Sequence, residues 1–272
     1  MGWFRVLAIG GSDSGGGAGI EADVKTITAL GGYAMTAITA VTAQDTSGIA
    51  AIAPVPPDLV ACAIRMVIAD LGVDAIKLGM LGSAGTAEEV ARAIAAAAPA
   101  TPLVLDPVLA STSGTALAGA GALAIIRDHL LPRATLITPN RDEAAALTGR
   151  AVDTAADVQR AGAALLGMGA RAVLLKGGHF AGDTLVDRLF TAEGMIAFTH
   201  ERIATRHTHG TGCTLASAIA CGLARGLDLA AAVGAAEAFL AAALRAAPAY
   251  GGGHGPLGHA RAAMPLQDRP PA

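Results

Sequence analysis

A glycine-rich turn with a cysteine stands directly before a helix-like segment. Residues His209-Gly210-Thr211-Gly212-Cys213-Thr214 precede an apolar, alanine-rich run that ends at Ala224. Glycines let an anion approach the main chain, and the free amides at a helix start favour negative charge. The segment therefore predicts a phosphate-binding turn, with Cys213 beside the anion, where the helix field would lower the pKa of its thiol. A glycine cap followed by a small buried cysteine is the simpler alternative.

A second glycine-rich stretch spans residues 10–19 and leads into a segment of helical period that carries Asp23. A loop of this kind is able to wrap a small ligand, whereas the alternative is a mobile surface connection. No Gly-Lys-Ser/Thr follows it, so it is not a P-loop. Its fragment Gly17-x-Gly19-x-x-Ala22 is a weak match to a dinucleotide fingerprint, the only feature that favours a dinucleotide-dependent oxidoreductase.

Other side chains that could bind a ligand or a metal ion follow predicted strands. Gln44 offers an amide that can read a heteroaromatic ring in two hydrogen bonds, although an isolated glutamine is as often a solvated loop residue. Met80, in Gly79-Met80-Leu81, is more often core filler than a pocket wall. Asp106 precedes a proline after an apolar strand, where it suits Mg²⁺ or its waters, and an Asp-Pro turn explains it equally well.

Two later strand ends carry groups suited to phosphate and metal. Asn140 and Glu143 would lie near both, yet Asn at an N-cap with Glu three residues later is also a capping pair that needs no ligand. Lys176 follows a buried-looking strand and precedes two glycines. Phosphate charge would pair its ammonium there, and a lysine that reaches to the surface is the alternative.

The elements that position these residues alternate between short strands and longer helices, which predicts repeated βαβ crossovers and a mostly parallel sheet. Predicted strands lie at residues 6–9, 37–41, 75–78, 103–105, 136–137 and 172–175, and helices at 20–30, 58–71, 86–97, 120–129, 141–147, 155–168, 214–224 and 229–246. Runs at 185–190 and 195–199 around a turn predict an antiparallel edge hairpin. Ligands in such sheets bind beyond the carboxyl ends of the parallel strands.

Composition narrows the class of protein. The 272 residues predict one domain over residues 1–264 and a disordered, proline-rich tail over 265–272. A net charge of −3 with scattered cations argues against nucleic acid as a partner. Charges or prolines interrupt the longest apolar stretches, which argues against a membrane span, and the N-terminus reads as a strand instead of a signal peptide. Small molecules are the expected partners.

Cysteine and histidine spacing excludes further classes. Cys62, Cys213 and Cys221 form no metal-ligand or C-x-x-C spacing, and their odd number favours a reducing cytoplasm over a disulfide framework. His207 and His209 lack a third ligand nearby in sequence, so no zinc site is expected.

Taken together, the motifs resemble the hydroxymethylpyrimidine/phosphomethylpyrimidine kinases of thiamin biosynthesis, and they follow that family's order and spacing from Val6 to about His259. The motifs are the glycine loop at 11–20, Gln44, the segments 77–81, 105–108 and 138–143, Lys176-Gly177-Gly178-His179 and the 209–214 turn. The resemblance implies a ribokinase-like three-layer α/β/α sandwich whose mostly parallel central sheet has an antiparallel edge hairpin.

The resemblance also implies chemistry. ATP with Mg²⁺ would phosphorylate the hydroxymethyl group of 4-amino-5-hydroxymethyl-2-methylpyrimidine and then its monophosphate. Cys213 would deprotonate the alcohol, where many ribokinase-like relatives have aspartate. The implied sites are catalytic (Cys213, Lys176, Gly210, Thr211, Gly212), phosphate-binding (Lys176, Asn140, Thr211, Gly212), metal-binding (Asp106, Glu143) and substrate-binding (Gln44, Asp23, Met80, Val108, Ala18, Gly11).

Two positions depart from the family pattern. His207 stands where the family commonly has asparagine, and Ala110-Ser111 stands where some pyridoxal-phosphorylating relatives carry a cysteine. A pyrimidine kinase is therefore favoured over a vitamin B6 kinase, which stays the alternative. A non-catalytic pyrimidine-sensing module is the alternative of another class. The family further implies a homodimer in the cytoplasm.

Overall fold

The computed structural model describes residues 2–111, 114–115, 117–119, 121–178 and 182–263. Within these residues the strands are β1 Arg5–Asp13, β2 Tyr33–Gln44, β3 Ile49–Pro54, β4 Ala75–Leu78, β5 Leu103–Leu105, β6 Leu136–Ile137, β7 Ala172–Leu175, β8 Thr184–Thr191 and β9 Gly194–Glu201. The helices are α1 Gly19–Ala29, α2 Pro57–Leu71, α3 Ala84–Ala97, α4 Ala122–Ile125, α5 Arg141–Thr148, α6 Ala155–Gly167, α7 Thr211–Ala224, α8 Leu229–Arg245 and α9 His259–Ala262. The predicted tail at 265–272 lies outside the described residues.

These strands form one sheet in the order β3-β2-β1-β4-β5-β6-β7-β8-β9. The six strands from β2 to β7 in that order pair in parallel, and β8 and β9 add an antiparallel hairpin at one edge. The predicted mostly parallel sheet with an edge hairpin is confirmed. The carboxyl ends of all six parallel strands lie at the same end of the sheet, and a ligand site is expected beyond them.

The other edge strand, β3, was not predicted. It pairs antiparallel with β2, and most of its side chains are exposed. Its alanines and terminal proline lack the alternation of a half-buried strand, so the sequence carries no strand signal there.

Helices cover both faces of the sheet because alternate strand residues point to opposite sides. Leu7 and Ile9 of β1 belong to a core with helices α2, α3, α5 and α6, whereas Val6 and Ala8 belong to a core with α1, α7 and α8. The inner parallel strands β1, β4, β5, β6 and β7 are buried on both faces, as the three-layer prediction requires, whereas β2 leaves several side chains exposed.

Several boundaries differ from prediction, among them β2, which spans Tyr33–Gln44 where 37–41 was predicted. Pairing of β1 with β2 continues to Asp13 and Thr42, so residues 10–13 of the expected loop are strand. The helix expected over 120–129 is α4 followed by a π-helical turn, Ile126–Leu130, and a 3₁₀ turn, Leu131–Arg133. Pro132 has no N–H to continue the helical ladder, which ends the segment. Residue 120 lies outside the described part of the chain.

Among the residues that the structure describes, no helix is both long and apolar enough to cross a membrane.

Candidate active site

A cavity of about 780 Å³ lies beyond the carboxyl ends of the parallel strands, bounded by the turn before α7. This volume suits a small-molecule site. Of the residues predicted from the sequence, all but one line it: Gly11, Ala18, Gln44, Met80, Asp106, Val108, Asn140, Glu143, Lys176, Gly210, Thr211, Gly212 and Cys213. The exception is Asp23.

The helix predicted from Thr214 begins at Thr211, so residues 211–213 of the predicted turn are the first residues of α7. Gly210 is the N-cap of α7 with φ at 88°, and a Cβ atom there would overlap the carbonyl oxygen of Gly17. Only glycine tolerates both this positive φ and the close approach of the Gly17 carbonyl. Among the described residues, no backbone acceptor or capping side chain takes the N–H of Gly212 or Cys213. These amides are available to a ligand anion.

The start of α7 faces a buried ion pair. The ammonium Nζ of Lys176 lies 3.0 Å from Oδ1 of Asp106 and 3.8 Å from Oε2 of Glu143. A Cβ atom on Gly212 would lie 3.2 Å from Oδ2 of Asp106 and 3.5 Å from the Lys176 ammonium. Burial by itself would lower the pKa of Lys176, but the Asp106 and Glu143 carboxylates hold it above its ordinary value. A permanent cation therefore stands beside the free amides.

Glu143 serves two roles. Its Oε2 accepts the Asn140 N–H at 2.7 Å, and Asn140 Oδ1 accepts the Glu143 N–H at 2.9 Å, so the capping box is formed. The local explanation of this pair is thus confirmed, yet both residues also line the cavity. Burial raises the pKa of Glu143 to about 7, and Lys176 opposes that rise.

The pKa of the Cys213 thiol differs from the prediction. The sequence predicts a lowered pKa, but burial raises the pKa of Cys213 to about 11, more than Lys77 and the Gly19 N–H lower it. Desolvation of the thiolate outweighs the favourable field because the sulfur is enclosed between the sheet and α7. At neutral pH the resting enzyme holds a thiol at this position.

Asp23, predicted to complete the pocket, does not line it. Its Oδ2 lies 2.8 Å from the Lys77 ammonium, and its Oδ1 accepts the Ser217 hydroxyl at 2.7 Å. The strand position of Lys77 points its ammonium at this carboxylate while the side chain still borders the cavity. Asp23 is therefore linked to the cavity through Lys77 and does not line it.

Asp13 and His209 are functional candidates that the sequence reasoning missed. Asp13 accepts the N–H groups of Gly15, Gly17 and Ala18 at 2.8–2.9 Å, which pins the glycine-rich loop. His209 Nε2 lies 2.9 Å from Asp13 Oδ2. Although burial opposes it, the His209 contact and these amides hold the pKa of Asp13 below its usual range. An aspartate inside a glycine loop was the signal available.

Gln44 lies against this pair. Its Nε2 is 3.3 Å from His209 Nε2, and its Oε1 accepts the Thr42 hydroxyl at 3.2 Å. A carboxylate only accepts, so the proton on His209 Nε2 belongs to the bond with Asp13. The Gln44 Nε2 is also a donor, so its approach to His209 Nε2 is a contact and not a hydrogen bond in this amide orientation, and Thr42 is the partner that holds the Gln44 side chain at the cavity wall.

The sheet order divides the cavity into two ends. Gly11, Gln44 and Met80 lie on or after β1, β2 and β4, whereas Lys176 follows β7. Beyond Lys176 the cavity continues to the β8-β9 hairpin and α8 through an apolar lining of Leu185, Ile203, Leu240 and Leu244. Asp106, Lys176 and the start of α7 lie between the two ends.

A ribokinase-like α/β sandwich that gathers a helix start, a lysine and carboxylates at this edge defines a phosphotransferase. The chain belongs to the phosphomethylpyrimidine kinase family, whose model matches residues 13–258. It is 49% identical over 254 residues to a hydroxymethylpyrimidine/phosphomethylpyrimidine kinase of Streptomyces coelicolor, with 93% of each chain covered.

Two solved structures support the assignment. Pyridoxal kinase of Bacillus subtilis in complex with ADP matches with a TM-score of 0.88 at 33% identity, over 96% of this chain and 98% of that one. Phosphomethylpyrimidine kinase from Clostridium difficile 630 matches with a TM-score of 0.78 at 36% identity, over 88% and 98%. The expected recognition, fold and enzyme class are confirmed.

Proposed function

We propose that this protein transfers the γ-phosphoryl group of ATP to 4-amino-5-hydroxymethyl-2-methylpyrimidine and then to its monophosphate, in thiamin biosynthesis. The observation that carries the proposal is the contact of the α7 start at Gly212 with Asp106 and Lys176, next to the thiol of Cys213. Family membership supports the substrate, because the Streptomyces coelicolor relative bears this activity in its name.

The pyrimidine is assigned to the end of the cavity at Gln44, Met80, Ala18 and Gly11. The Gln44 amide suits the ring nitrogen and the neighbouring amino group, and Met80 supplies an apolar contact to the ring. The Val108 N–H already donates to the Asp106 carbonyl at 2.8 Å, so the Val108 carbonyl is the group that would accept the exocyclic amine.

ATP is assigned to the other end, where the apolar lining near α8 suits a base and the central cations suit phosphates. The ADP complex of the Bacillus subtilis pyridoxal kinase supports nucleotide binding in this fold. Lys176, Asn140 and the Gly212 N–H would hold the phosphate oxygens. The Thr211 N–H donates to the Thr208 carbonyl at 3.3 Å and would exchange that bond to join them. Each donor aimed at the transferring group typically contributes about 3 kcal/mol to the transition state.

The residues present fit Mg²⁺. Asp106 and Glu143 supply oxygen ligands, and Mg²⁺ in kinases uses one or two carboxylates together with substrate phosphates. Asp106 Oδ1 also accepts the Thr138 hydroxyl at 3.0 Å, which fixes its direction. When bound, the ion would offset the negative charge of the phosphates.

The chain's own groups position the transfer. The alcohol oxygen forms a bond to the γ-phosphorus, the bond from phosphorus to the ADP oxygen breaks, and ADP leaves with that electron pair. The Cys213 thiol first gives its proton to solvent, and the Sγ of the thiolate then accepts the alcohol proton. Because the transition state is loose, the main contribution of the protein is positioning and charge stabilisation, supplied by Lys176 and the α7 amides.

Pyridoxal phosphorylation is the second candidate. It is favoured by the TM-score of 0.88 to a pyridoxal kinase, above the 0.78 to the phosphomethylpyrimidine kinase. The proposal ranks the pyrimidine first because the relatives of higher sequence identity carry the pyrimidine name.

The test is incubation with Mg²⁺, ATP and the hydroxymethylpyrimidine, with mono- and diphosphate products resolved by mass. Both products are expected, in that order. A parallel series with pyridoxal compares the two values of kcat/KM. A higher value for pyridoxal would reverse the ranking, and no product from either substrate would refute the kinase proposal.

We further propose a cytoplasmic homodimer formed by the β2-β3 face. Ile38 and Val41 on one face of β2 are 37% and 50% exposed, an apolar area that a second copy would cover, whereas Ile52 pairs with Thr42 and points to the opposite side. The three cysteines are free, which suits a reducing compartment. Light scattering should give twice the chain mass for the wild type and the chain mass for Val41→Glu.

A further inference from the structure

Three potential metal ligands meet outside the catalytic centre. One ligand atom each from Asp187, His200 and Glu237 lies within 4.8 Å of the other two. Asp187 is on β8, His200 on β9 and Glu237 on α8. They line the nucleotide end of the cavity, on the far side of Lys176 from Asp106.

The fold explains why they meet. Asp187 pairs with Phe198 and Leu185 pairs with His200, so Asp187 and His200 are diagonal neighbours on one face of the hairpin. The helix α8 packs on that face, since a Cβ atom on Gly234 would lie 3.7 Å from the Phe198 ring. Glu237 is one helical turn beyond Gly234 and therefore faces the same strands.

Two polar atoms of these three side chains lack a hydrogen-bond partner in the described part of the chain. His200 Nδ1 and Glu237 Oε1 are both buried, and neither has a hydrogen-bond partner among the described residues. Buried polar atoms are normally paired, so two orphaned atoms in one cluster indicate a missing ligand. The carboxylate of Asp187, 6% exposed, accepts one bond from the protein, from the Gly177 N–H.

The charge balance points to a cation. A carboxylate oxygen of Asp187 lies within 4.8 Å of one of Glu237, so two acidic groups share this end of the cavity. The positive charges of Lys176 and Arg188 attract the Asp187 carboxylate. However, Lys176 is also paired with Asp106, and Arg188 donates to the Val186 carbonyl. Two enclosed carboxyl groups beside an imidazole form a site that a divalent ion would neutralise.

We propose that Asp187, His200 and Glu237 bind a divalent first-row transition-metal ion at a site separate from the Mg²⁺ position assigned to Asp106. One imidazole nitrogen with two carboxylate oxygens suits Zn²⁺ or Mn²⁺, whereas Mg²⁺ prefers oxygen alone. Bonds of about 2.0–2.2 Å bring ligand atoms to roughly 3–4 Å from each other, which small side-chain rotations achieve here.

The ion would join the hairpin to α8. Asp187 also holds the N–H of Gly177, the residue after Lys176, so an occupied site would stiffen the segment that positions the catalytic ammonium. The sequence gives no sign of it, because the ligands come from three separate elements. The proposal departs from the sequence expectation of no zinc site, which rested on the spacing of all seven histidines along the chain.

The test uses tag-free protein treated with a chelator and then dialysed against Zn²⁺ or Mn²⁺, with bound metal measured by mass spectrometry. We expect one ion per chain, with the dissociation constant raised at least tenfold in His200→Asn and in Glu237→Gln. Matched controls are His129→Asn and Glu193→Gln, which change an exposed histidine and an exposed glutamate and should bind as the wild type does. Asp106→Asn should also retain the ion, which separates this site from the Mg²⁺ position.

A second readout does not depend on affinity. The wild type should gain thermal stability on addition of Mn²⁺, and the His200 and Glu237 variants should not. Both residues are partly exposed, so the variants are expected to fold, and circular dichroism checks this. Absence of bound ion in the wild type, or equal binding by the wild type and a folded His200→Asn or Glu237→Gln variant, would overturn the proposal.

Discussion

The ammonium of Lys77 lies 2.8 Å from the carboxylate of Asp23, and the two side chains are 1% and 0% exposed. The residues are 54 positions apart in the chain and join β4 to α1. Ser217 on α7 donates to the same carboxylate, so the pair links three elements behind the catalytic cavity. The charge of Lys77 lowers the pKa of the Cys213 thiol, so the Lys77–Asp23 pair helps Cys213 to act as the proposed base.

Breaking the pair should destabilise the protein strongly. Lys77→Met leaves Asp23 buried without a counter-charge, and we expect the free energy of unfolding to fall by about 3–5 kcal/mol. Urea denaturation measures the change. The double variant Lys77→Met with Asp23→Leu should recover much of that loss, because it removes the stranded carboxylate as well. A single variant as stable as the wild type would contradict the ion pair.

Removing the Cys213 thiol should slow the chemistry and spare binding. We expect Cys213→Ala to lower kcat by about 10²–10⁴-fold, the range of one general base, with ATP affinity within about threefold of the wild type. Steady-state kinetics and calorimetry with ATP measure the two effects. Cys62→Ala, on α2 and outside the cavity, is the matched control and should keep full turnover. Unchanged turnover in Cys213→Ala would remove the base role.

The raised thiol pKa predicts a rate that increases with pH. A thiol with a pKa of about 11 is protonated below that pH, so the thiolate fraction rises about tenfold per unit from pH 7 to pH 10. Lys176 stays protonated throughout, because its pKa is raised. We therefore expect kcat/KM to climb across this range, as measured with Mg²⁺ and ATP held in excess. A plateau between pH 8 and pH 9.5 would show that deprotonation of Cys213 does not limit the reaction.

Variants of Glu143 and Asn140 distinguish the structural role of the capping box from the proposed role of Glu143 in magnesium binding. Glu143→Gln keeps an oxygen for the Asn140 N–H and so preserves the capping box, but it removes the charge beside Lys176. We expect the Mg²⁺ requirement to rise at least tenfold with little change in Tm. Asn140→Ala should instead lose about 1 kcal/mol of stability through the cap. If Glu143→Gln matched the wild type in magnesium dependence, the residue would be structural alone.

The pH profile also bears on Glu143. Its pKa of about 7 means that the carboxylate form is lost as pH falls below neutrality, which should depress metal binding and kcat/KM between pH 7 and pH 5.5. In Glu143→Gln this acid limb should flatten while the alkaline rise assigned to Cys213 persists. Titration of kcat/KM in both proteins distinguishes the two groups, and an acid limb of equal depth in the variant would assign it elsewhere.

Much of the site could be predicted because its signals are local. The turn before α7 shows itself in six consecutive residues, and the capping box of Asn140 and Glu143 depends on a spacing of three. The strand ends at Gln44, Asp106 and Lys176 follow from apolar runs, and a parallel sheet brings such ends to one edge. The edge strand β3 escaped prediction because its exposed alanines carry no periodic pattern.

What the sequence determined by itself is therefore most of the order of elements, the glycine-rich segment at the start of α7 and thirteen of the residues that line the cavity. Tertiary structure alone decided that Asp23 turns to Lys77, that Asp13 meets His209 from 196 residues away, and that Asp187, His200 and Glu237 converge. It also decided the pKa of Cys213. The physical reason is that spacing along the chain sets local conformation, whereas desolvation and charge pairing depend on which distant side chains folding brings together.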